Sequence, residues 1–133
     1  MPTLYAGTTD SLQWAADVAQ VSLDGGQTWR SAPTAGIASR YVPIALVKGY
    51  LADGSIVEMY ADSSTAIAYG KPATVALFAW RVGDTSWRQV TPPITVTAWQ
   101  FTVAYATPGS NGGPDRYWIV DTKGQPNVST FAG

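Results

Sequence analysis

The side chains of this chain that could do chemistry are carboxylates, tyrosines, tryptophans and a few arginines, because its 133 residues include neither cysteine nor histidine. That composition excludes thiol nucleophiles, disulfides, imidazole bases and most transition-metal sites. Most aspartates stand beside Gly, Thr or Ser in turn contexts, where a carboxylate usually accepts hydrogen bonds from the backbone. The sequence therefore predicts no catalytic residue, no metal site and no cofactor. These turn aspartates are Asp10, Asp24, Asp53, Asp62, Asp84 and Asp121.

The octapeptide SLDGGQTW at residues 22–29 is the most informative motif of the chain. Its glycine pair supplies positions where φ can be positive, as a tight hairpin requires. Ser22 and Asp24 can accept hydrogen bonds from backbone N–H groups at the reversal. Trp29 can bury its ring under the loop, while its indole N–H still needs an acceptor. We interpret Ser22, Asp24, Gly26 and Trp29 as structural turn residues, since no second carboxylate or histidine stands nearby to make Asp24 catalytic.

The pattern Ser-x-Asp-x-Gly-x-x-Trp resembles the Asp-box (BNR repeat) of sialidases, other glycoside hydrolases and many non-enzymatic β-propellers. In those proteins it forms the tip of a hairpin at the outer edge of a blade, so the resemblance implies an architecture and not an activity. Residues 80–88, WRVGDTSWR, form a degenerate second copy, and residues 118–124 keep only an Asp and a Gly. This weak repeat predicts two to three antiparallel four-stranded blades of β-propeller type.

The catalytic residues of sialidases can be compared with the residues at the matching positions of this sequence. Those enzymes carry an Arg-Ile-Pro-type strand within an arginine triad, and a tyrosine nucleophile partnered by a glutamate. Here Val42 stands where that arginine would be, and Arg40 lies two residues earlier, about 6–7 Å away along a strand. The chain has five arginines and a single glutamate, Glu58, for which we expect a solvent-facing or interface position. The sequence thus favours a non-enzymatic protein over a fragment of a sialidase-like glycoside hydrolase.

Alternation of apolar and polar residues with a period of two dominates the chain, and no window sustains a helical period. The sequence therefore predicts a single all-β domain spanning residues 1–133, with short strands separated by Gly- and Pro-rich turns. Asp115 and Arg116, which follow one such turn, are expected to be solvated. The predicted strands cover residues 4–6, 18–23, 28–31, 44–50, 55–61, 74–82, 86–91, 97–105, 116–121 and 128–131.

Two or three blades would leave broad sheet faces exposed, since propellers usually close with about four to eight. Oligomerisation into a composite ring would complete them, and a β-sandwich is the alternative fold. Charged residues make up only 13% of the chain, about half the usual ~25%. Six tryptophans and seven tyrosines beside so few charges suit subunit contacts, so we expect the chain to associate with copies of itself.

Two functions outside catalysis fit these features. The first is a recognition module for glycans, with Trp14 and Trp87 as candidate stacking residues next to irregular or turn segments. Ordinary core packing is the favoured alternative for these two tryptophans. The second is a structural assembly subunit of a virion, fibre or surface layer. The net charge of −1 gives no basic patch for nucleic acid, and no apolar run reaches the ~20 residues of a membrane span. No signal peptide is visible, and an extracellular or virion-associated location is favoured.

Overall fold

The computed structural model describes residues 2–6, 19–65, 72–97, 101–121 and 127–132, and these form three antiparallel sheets without any helix. The all-β prediction is therefore confirmed. Within the ranges just given, no helix is long and apolar enough to cross a membrane. The first sheet contains β1 (Leu4–Ala6), β2 (Gln20–Ser22) and β3 (Arg30–Ser31). The central sheet contains β4 (Tyr41–Leu46), β5 (Ile56–Asp62), β6 (Pro72–Trp80), β7 (Arg88–Gln89) and β8 (Ile94–Thr97). The third sheet contains β9 (Phe101–Thr107), β10 (Arg116–Asp121) and β11 (Asn127–Ala132).

Each sheet is built from hairpins between strands that follow one another in the chain. The strand orders are β1-β2-β3, β4-β5-β6-β7 and β11-β10-β9, with β8 pairing to β6 as well. Central strand β5 pairs along its length with β6, from Ile56 opposite Trp80 to Ala61 opposite Val75. This consecutive, all-antiparallel pairing is what short alternating strands joined by tight turns are expected to form.

The outer edge of the central sheet is a single strand broken in two. Both β7 and β8 pair with β6 on the edge that faces away from β5. Pro92 and Pro93 lie between them and cannot donate to the ladder, because proline has no backbone N–H. The backbone of Leu77 bridges the gap by accepting from Val90 N at 2.9 Å and donating to the Thr91 hydroxyl at 3.0 Å. The sequence did not predict β8, because the proline pair reads as a turn.

The central sheet buries apolar side chains on both faces. On one face Ile56 and Phe78 belong to the same buried cluster as Val21 of the first sheet. On the other face Met59 belongs to a cluster with Tyr117 of the third sheet. Alternate residues of a strand point to opposite faces, so β5 contributes to both clusters. The molecule is therefore layered, with the central sheet between the other two.

Two glycines allow backbone segments of different layers to approach closely. Gly36 has φ +91°, and a Cβ atom there would collide with the carbonyl oxygen of Trp87, whose N–H donates to Ala35 O at 2.9 Å. Gly49 has φ +102°, and a Cβ atom there would collide with the carbonyl oxygen of Ala106. A side chain at either position would push the segments apart, so both positions require glycine.

Candidate functional site

In the turn at residues 22–29, the polar side chains form hydrogen bonds with other groups of the same turn. The Ser22 hydroxyl, which is buried, accepts from Gly26 N at 2.8 Å and donates to Asp24 Oδ1 at 2.8 Å. Asp24 also accepts from Thr28 N at 2.9 Å and from the Thr28 hydroxyl. These bonds, with the Thr28 hydroxyl contributing most, lower the pKa of Asp24 to about 2. The carboxylate is thus ionised and fully engaged within the turn.

Trp29 lies on the surface and not beneath the loop. Its side chain is 45% exposed, and it lies along the turn beside Gly26, whose carbonyl oxygen accepts from the indole Nε1 at 3.0 Å. The acceptor that the sequence required is therefore present within the turn. The expected burial of the ring is wrong, because β3 begins only after Trp29 and is two residues long, which leaves little sheet to cover the indole.

Trp87 is part of the core. It is 3% exposed, its Nε1 donates to Pro33 O at 2.7 Å, and its ring lies about 6.0 Å from those of both Tyr60 and Trp80. Trp87 follows a turn, as the sequence indicates, but it takes the favoured alternative of core packing and not that of an exposed stacking residue, because the 33–36 segment packs over it. A buried indole offers no face for a sugar to stack on. Trp14 lies outside the described residues.

Glu58 is buried between the first and central sheets. It is 1% exposed and accepts from the Tyr60 hydroxyl at 2.6 Å and from the backbone N–H of Ala19. Burial raises the pKa of Glu58 to about 7, against the lowering effect of those two donors. Burial and the neighbouring carboxyl also raise the pKa of Tyr60. The expected solvent-facing or interface position for Glu58 is therefore wrong, because the first sheet covers the face of β5 that carries it.

The side chain of Tyr60 is buried although the residue borders a cavity. It is 1% exposed and is among the residues that line a cavity of about 420 Å³. The nearest arginine in sequence, Arg40, is engaged elsewhere, with its Nε 3.3 Å from an Asp62 oxygen and its guanidinium 5.0 Å above the Tyr41 ring. The ring of Phe78 makes edge-to-face pairs with those of Tyr41 and Tyr60, with centroids 5.6 Å and 5.2 Å apart. Both tyrosines that line the cavity are therefore already packed against protein side chains.

A second cavity, of about 320 Å³, lies at the loop between β9 and β10. Four of its lining residues carry functional side chains, namely Thr107 at the end of β9, Ser110 in the loop, and Arg116 and Trp118 on β10. Arg116 and Trp118 stand two residues apart on a strand, and so point to the same side of the sheet. We call this cavity the β9–β10 pocket. It combines an indole, a cation and two hydroxyls at one place.

The loop that forms this pocket is held rigidly. Asn111 and Gly112 have φ 53° and 76°, and Gly113 N donates to Ser110 O at 2.8 Å, which are features of a type I′ turn. The half-buried Asp115 accepts from Gly109 N at 2.8 Å and from Ala52 N at 3.0 Å. The expectation that Asp115 is solvated is therefore wrong, because its carboxylate connects the loop to the turn between β4 and β5.

Two polar side chains of the β9–β10 pocket have no partner among the described residues. The guanidinium of Arg116 is exposed and makes no ion pair or hydrogen bond with any residue that the structure describes. Trp118 is half-buried, and its indole N–H has no partner among those same residues. The sequence signal was an Arg-x-Trp pair directly after a Gly/Pro-rich loop. It was missed because strand alternation alone does not reveal which side chains lack partners.

In the described ranges, no group of three His, Cys, Asp or Glu residues could hold a metal ion. The chain was also compared with known proteins. No family model, no curated protein and no solved structure matches it.

Proposed function

We propose that the protein is a non-enzymatic recognition module of β-propeller type that binds carbohydrate through the β9–β10 pocket. The observation that carries the proposal is the half-buried indole of Trp118 beside Arg116, which is paired with no described acid, and the hydroxyls of Thr107 and Ser110. Small-ligand sites are concave, with an apolar surface and a few well-placed polar groups, in cavities of about 300–1,000 Å³. An indole supplies an apolar face for the C–H side of a sugar ring, and the hydroxyls and guanidinium can bond its oxygens.

The propeller component of the proposal is supported by the placement of the repeated hairpins. The Asp-box-like sequence joins β2 to β3, its degenerate copy joins β6 to β7, and the third joins β10 to β11. Each hairpin occupies the same place in a three-strand meander of its own sheet. The layering of the three sheets is compatible with three successive blades, since neighbouring propeller blades pack face to face.

Two observations support a role without catalysis. The carboxylate of Asp24, the acid of the Asp-box-like turn, accepts hydrogen bonds from Thr28 and Ser22 within the turn. Tyr60 and Glu58 are bonded to each other between two sheets, where a glycosidic bond cannot reach them. A glycoside hydrolase needs a pair of accessible acids about 5–10 Å apart, or an accessible nucleophile.

Self-association is the second component of the proposal, and an assembly subunit of a virion, fibre or surface layer is the alternative function. It is favoured by large apolar side chains that stay exposed in the described chain. Interfaces concentrate such residues and contain few charges. Light scattering coupled to size exclusion would separate the two functions, with a small closed oligomer expected for a lectin-like ring and an open polymer for a structural subunit. The exposed residues are Leu4, Leu23, Trp29, Tyr50 and Tyr105.

Glycan-array binding tests the recognition proposal. We expect the wild type to bind at least one glycan class, and Trp118→Ala to weaken that binding about tenfold or more, since base stacking on aromatics gives a comparable ~1–3 kcal/mol. Trp118→Phe, which keeps a flat ring, should retain part of the affinity. Trp29→Ala is the matched control because it removes an exposed indole from a different turn. A wild type that binds no glycan, or equal losses in Trp118→Ala and Trp29→Ala, would contradict the proposal.

A further inference from the structure

Among the described residues that line it, the β9–β10 pocket has one positive charge and no negative one. Of its eight lining residues Arg116 is charged, and none is acidic. Asp115, its neighbour in the chain, is not a lining residue, and its Oδ1 accepts from Gly109 N and Ala52 N. The guanidinium is therefore the dominant electrostatic feature that a ligand in this pocket would meet.

Three of the five arginines lie close to an aspartate. Arg88 lies 3.0 Å from Asp53, Arg40 lies 3.3 Å from Asp62, and Arg81 lies 3.9 Å from Asp84. Arg30 and Arg116 make no ion pair with a described residue, and of these two only Arg116 is among the described residues that line the pocket. A guanidinium has five N–H donors and no acceptor, so it is satisfied best by an anionic group that accepts two bonds at once.

The indole adds a second donor beside the cation. The Nε1–H of Trp118 makes no hydrogen bond with any described residue, and it too can only donate. Residues two apart on a strand are about 6–7 Å apart, so one ligand can cover the Trp118 ring and extend a substituent to Arg116. The pocket thus offers an apolar face together with a surplus of hydrogen-bond donors. The complementary ligand is a sugar ring that bears an acidic group.

We propose that the β9–β10 pocket selects saccharides that carry a carboxylate or a sulfate, and that Arg116 determines this preference. The inference rests on the proposed function, because it assumes that the pocket binds carbohydrate. Hydrogen bonds to charged groups contribute about 1.5–3 kcal/mol, so loss of the guanidinium should weaken binding of an acidic ligand about 10- to 100-fold. Binding of a neutral ligand should change less than about threefold, because it makes no charge-assisted bond.

Calorimetric titration with matched oligosaccharides tests this selectivity. The probes are a glucuronate-terminated disaccharide, the same disaccharide ending in glucose, and its sulfated form. The variants are Arg116→Gln, which keeps a polar side chain without charge, and Arg116→Lys, which keeps the charge without the planar fork. Arg81→Gln is the matched control, because Arg81 is also exposed but lies outside the pocket. The wild type and Arg116→Gln are measured at low and at high salt.

The expected result is tighter binding of the acidic sugars by the wild type, about tenfold or more at low salt. In Arg116→Gln this preference should fall to the neutral level, while Arg81→Gln should behave as wild type. Added salt should reduce acidic binding, because it screens the pair. Equal binding of acidic and neutral sugars, or an unchanged preference in Arg116→Gln, would overturn the inference and leave the recognition function standing. Absence of binding to every probe and every arrayed glycan would overturn both.

Discussion

The hairpin turn between β2 and β3 and the turn between β6 and β7 have related sequences but hold their tryptophans in opposite environments. Trp29 is 45% exposed, whereas Trp87 is 3% exposed. The indole N–H of Trp29 donates to Gly26 in the same turn, but that of Trp87 donates to Pro33, which belongs to a distant segment. The first turn is thus held by its own atoms and the second by contacts with another part of the chain.

The position of the acid relative to the glycines explains part of this difference. Asp24 precedes its glycine pair and accepts from Thr28 across the turn. Asp84 follows Gly83, accepts from Arg81 N at 3.2 Å and lies 3.9 Å from the Arg81 guanidinium. Local sequence determines these bonds, but the surroundings of the tryptophan depend on which segment packs over it. A turn motif therefore predicts a hairpin without predicting the role of its aromatic residue.

The largest expected effect separates the two tryptophans directly. We expect Trp87→Ala to lower the free energy of unfolding by about 3–5 kcal/mol, because it removes a fully packed indole. Trp29→Ala should cost about 1 kcal/mol or less, since it loses one hydrogen bond and little buried area. Urea unfolding followed by circular dichroism measures both. Equal losses of unfolding free energy in the two variants would show that Trp29 and Trp87 do not differ in packing as the structure indicates.

A pair of glycine substitutions tests whether the second turn depends on the 33–36 segment. Gly36→Ala should cost about 3 kcal/mol, since the new Cβ both strains a positive φ and collides with the Trp87 carbonyl oxygen. Gly83→Ala, inside the turn itself, has φ +100° but open space around its Cβ position. It should cost about 1–2 kcal/mol from strain alone. Thermal unfolding of the two variants provides the comparison, and a Gly83→Ala protein that is the less stable of the two would refute it.

Glu58 and Tyr60 join the two hairpins, because Glu58 accepts from the residue before β2 and Tyr60 packs against Trp87. The pKa of Glu58 rises from 4.5 to about 7 on folding, so the folded state binds the proton more tightly than the unfolded state. Stability from this group is present below pH 4.5 and is lost as the pH rises through 7. Each pKa unit corresponds to 1.36 kcal/mol, so the loss between pH 5 and pH 8 is about 2–3 kcal/mol.

Unfolding measured from pH 5 to pH 8 tests this dependence. Glu58→Gln should remove most of the slope, because the amide does not ionise. Tyr60→Phe should displace the slope to higher pH, because the carboxylate loses its strongest donor. A wild-type stability that is flat over this range, or that rises with pH, would contradict the assignment.

The smallest expected effect concerns the serines of the two turns. Ser22→Ala should cost about 1–2 kcal/mol, since the half-buried Gly26 N–H loses its acceptor and Asp24 loses a donor. Ser86→Ala should change stability by less than about 0.5 kcal/mol, because Ser86 is exposed and makes no hydrogen bond among the described residues. Chemical unfolding at neutral pH resolves the two. A neutral Ser22→Ala would show that other contacts hold the first turn.

The strands were largely predictable because alternation and turn residues are local signals. β1 and β10 have the predicted bounds, and β5, β6 and β11 differ by one or two residues at their ends. β4 begins at Tyr41 and ends at Leu46, so the predicted strand at 44–50 is misplaced toward its C-terminal end. The chain leaves the strand near Val47 to bring Gly49 against Ala106, which is a long-range contact that no local pattern contains.

The positions of functional side chains were less predictable. Alternation on β5 suggested one solvated face, but the first sheet covers the side that carries Glu58. Trp87 was a candidate stacking residue because it follows a turn, although its burial depends on a segment about fifty residues earlier. Arg116 and Trp118 were placed on the correct strand without being recognised as a pair. Their significance comes from the lack of partners among the described residues, and a sequence does not reveal which arginine has an acid beside it.

The proline break in the edge strand of the central sheet has a consequence for the addition of strands from other molecules. An uninterrupted edge strand displays a row of free N–H and C=O groups on which a foreign strand can add and start amyloid-like growth. Here the edge consists of the two-residue β7 and the four-residue β8, separated at Pro92 and Pro93. This border therefore lacks the long, continuous row of free backbone groups on which amyloid-like growth depends.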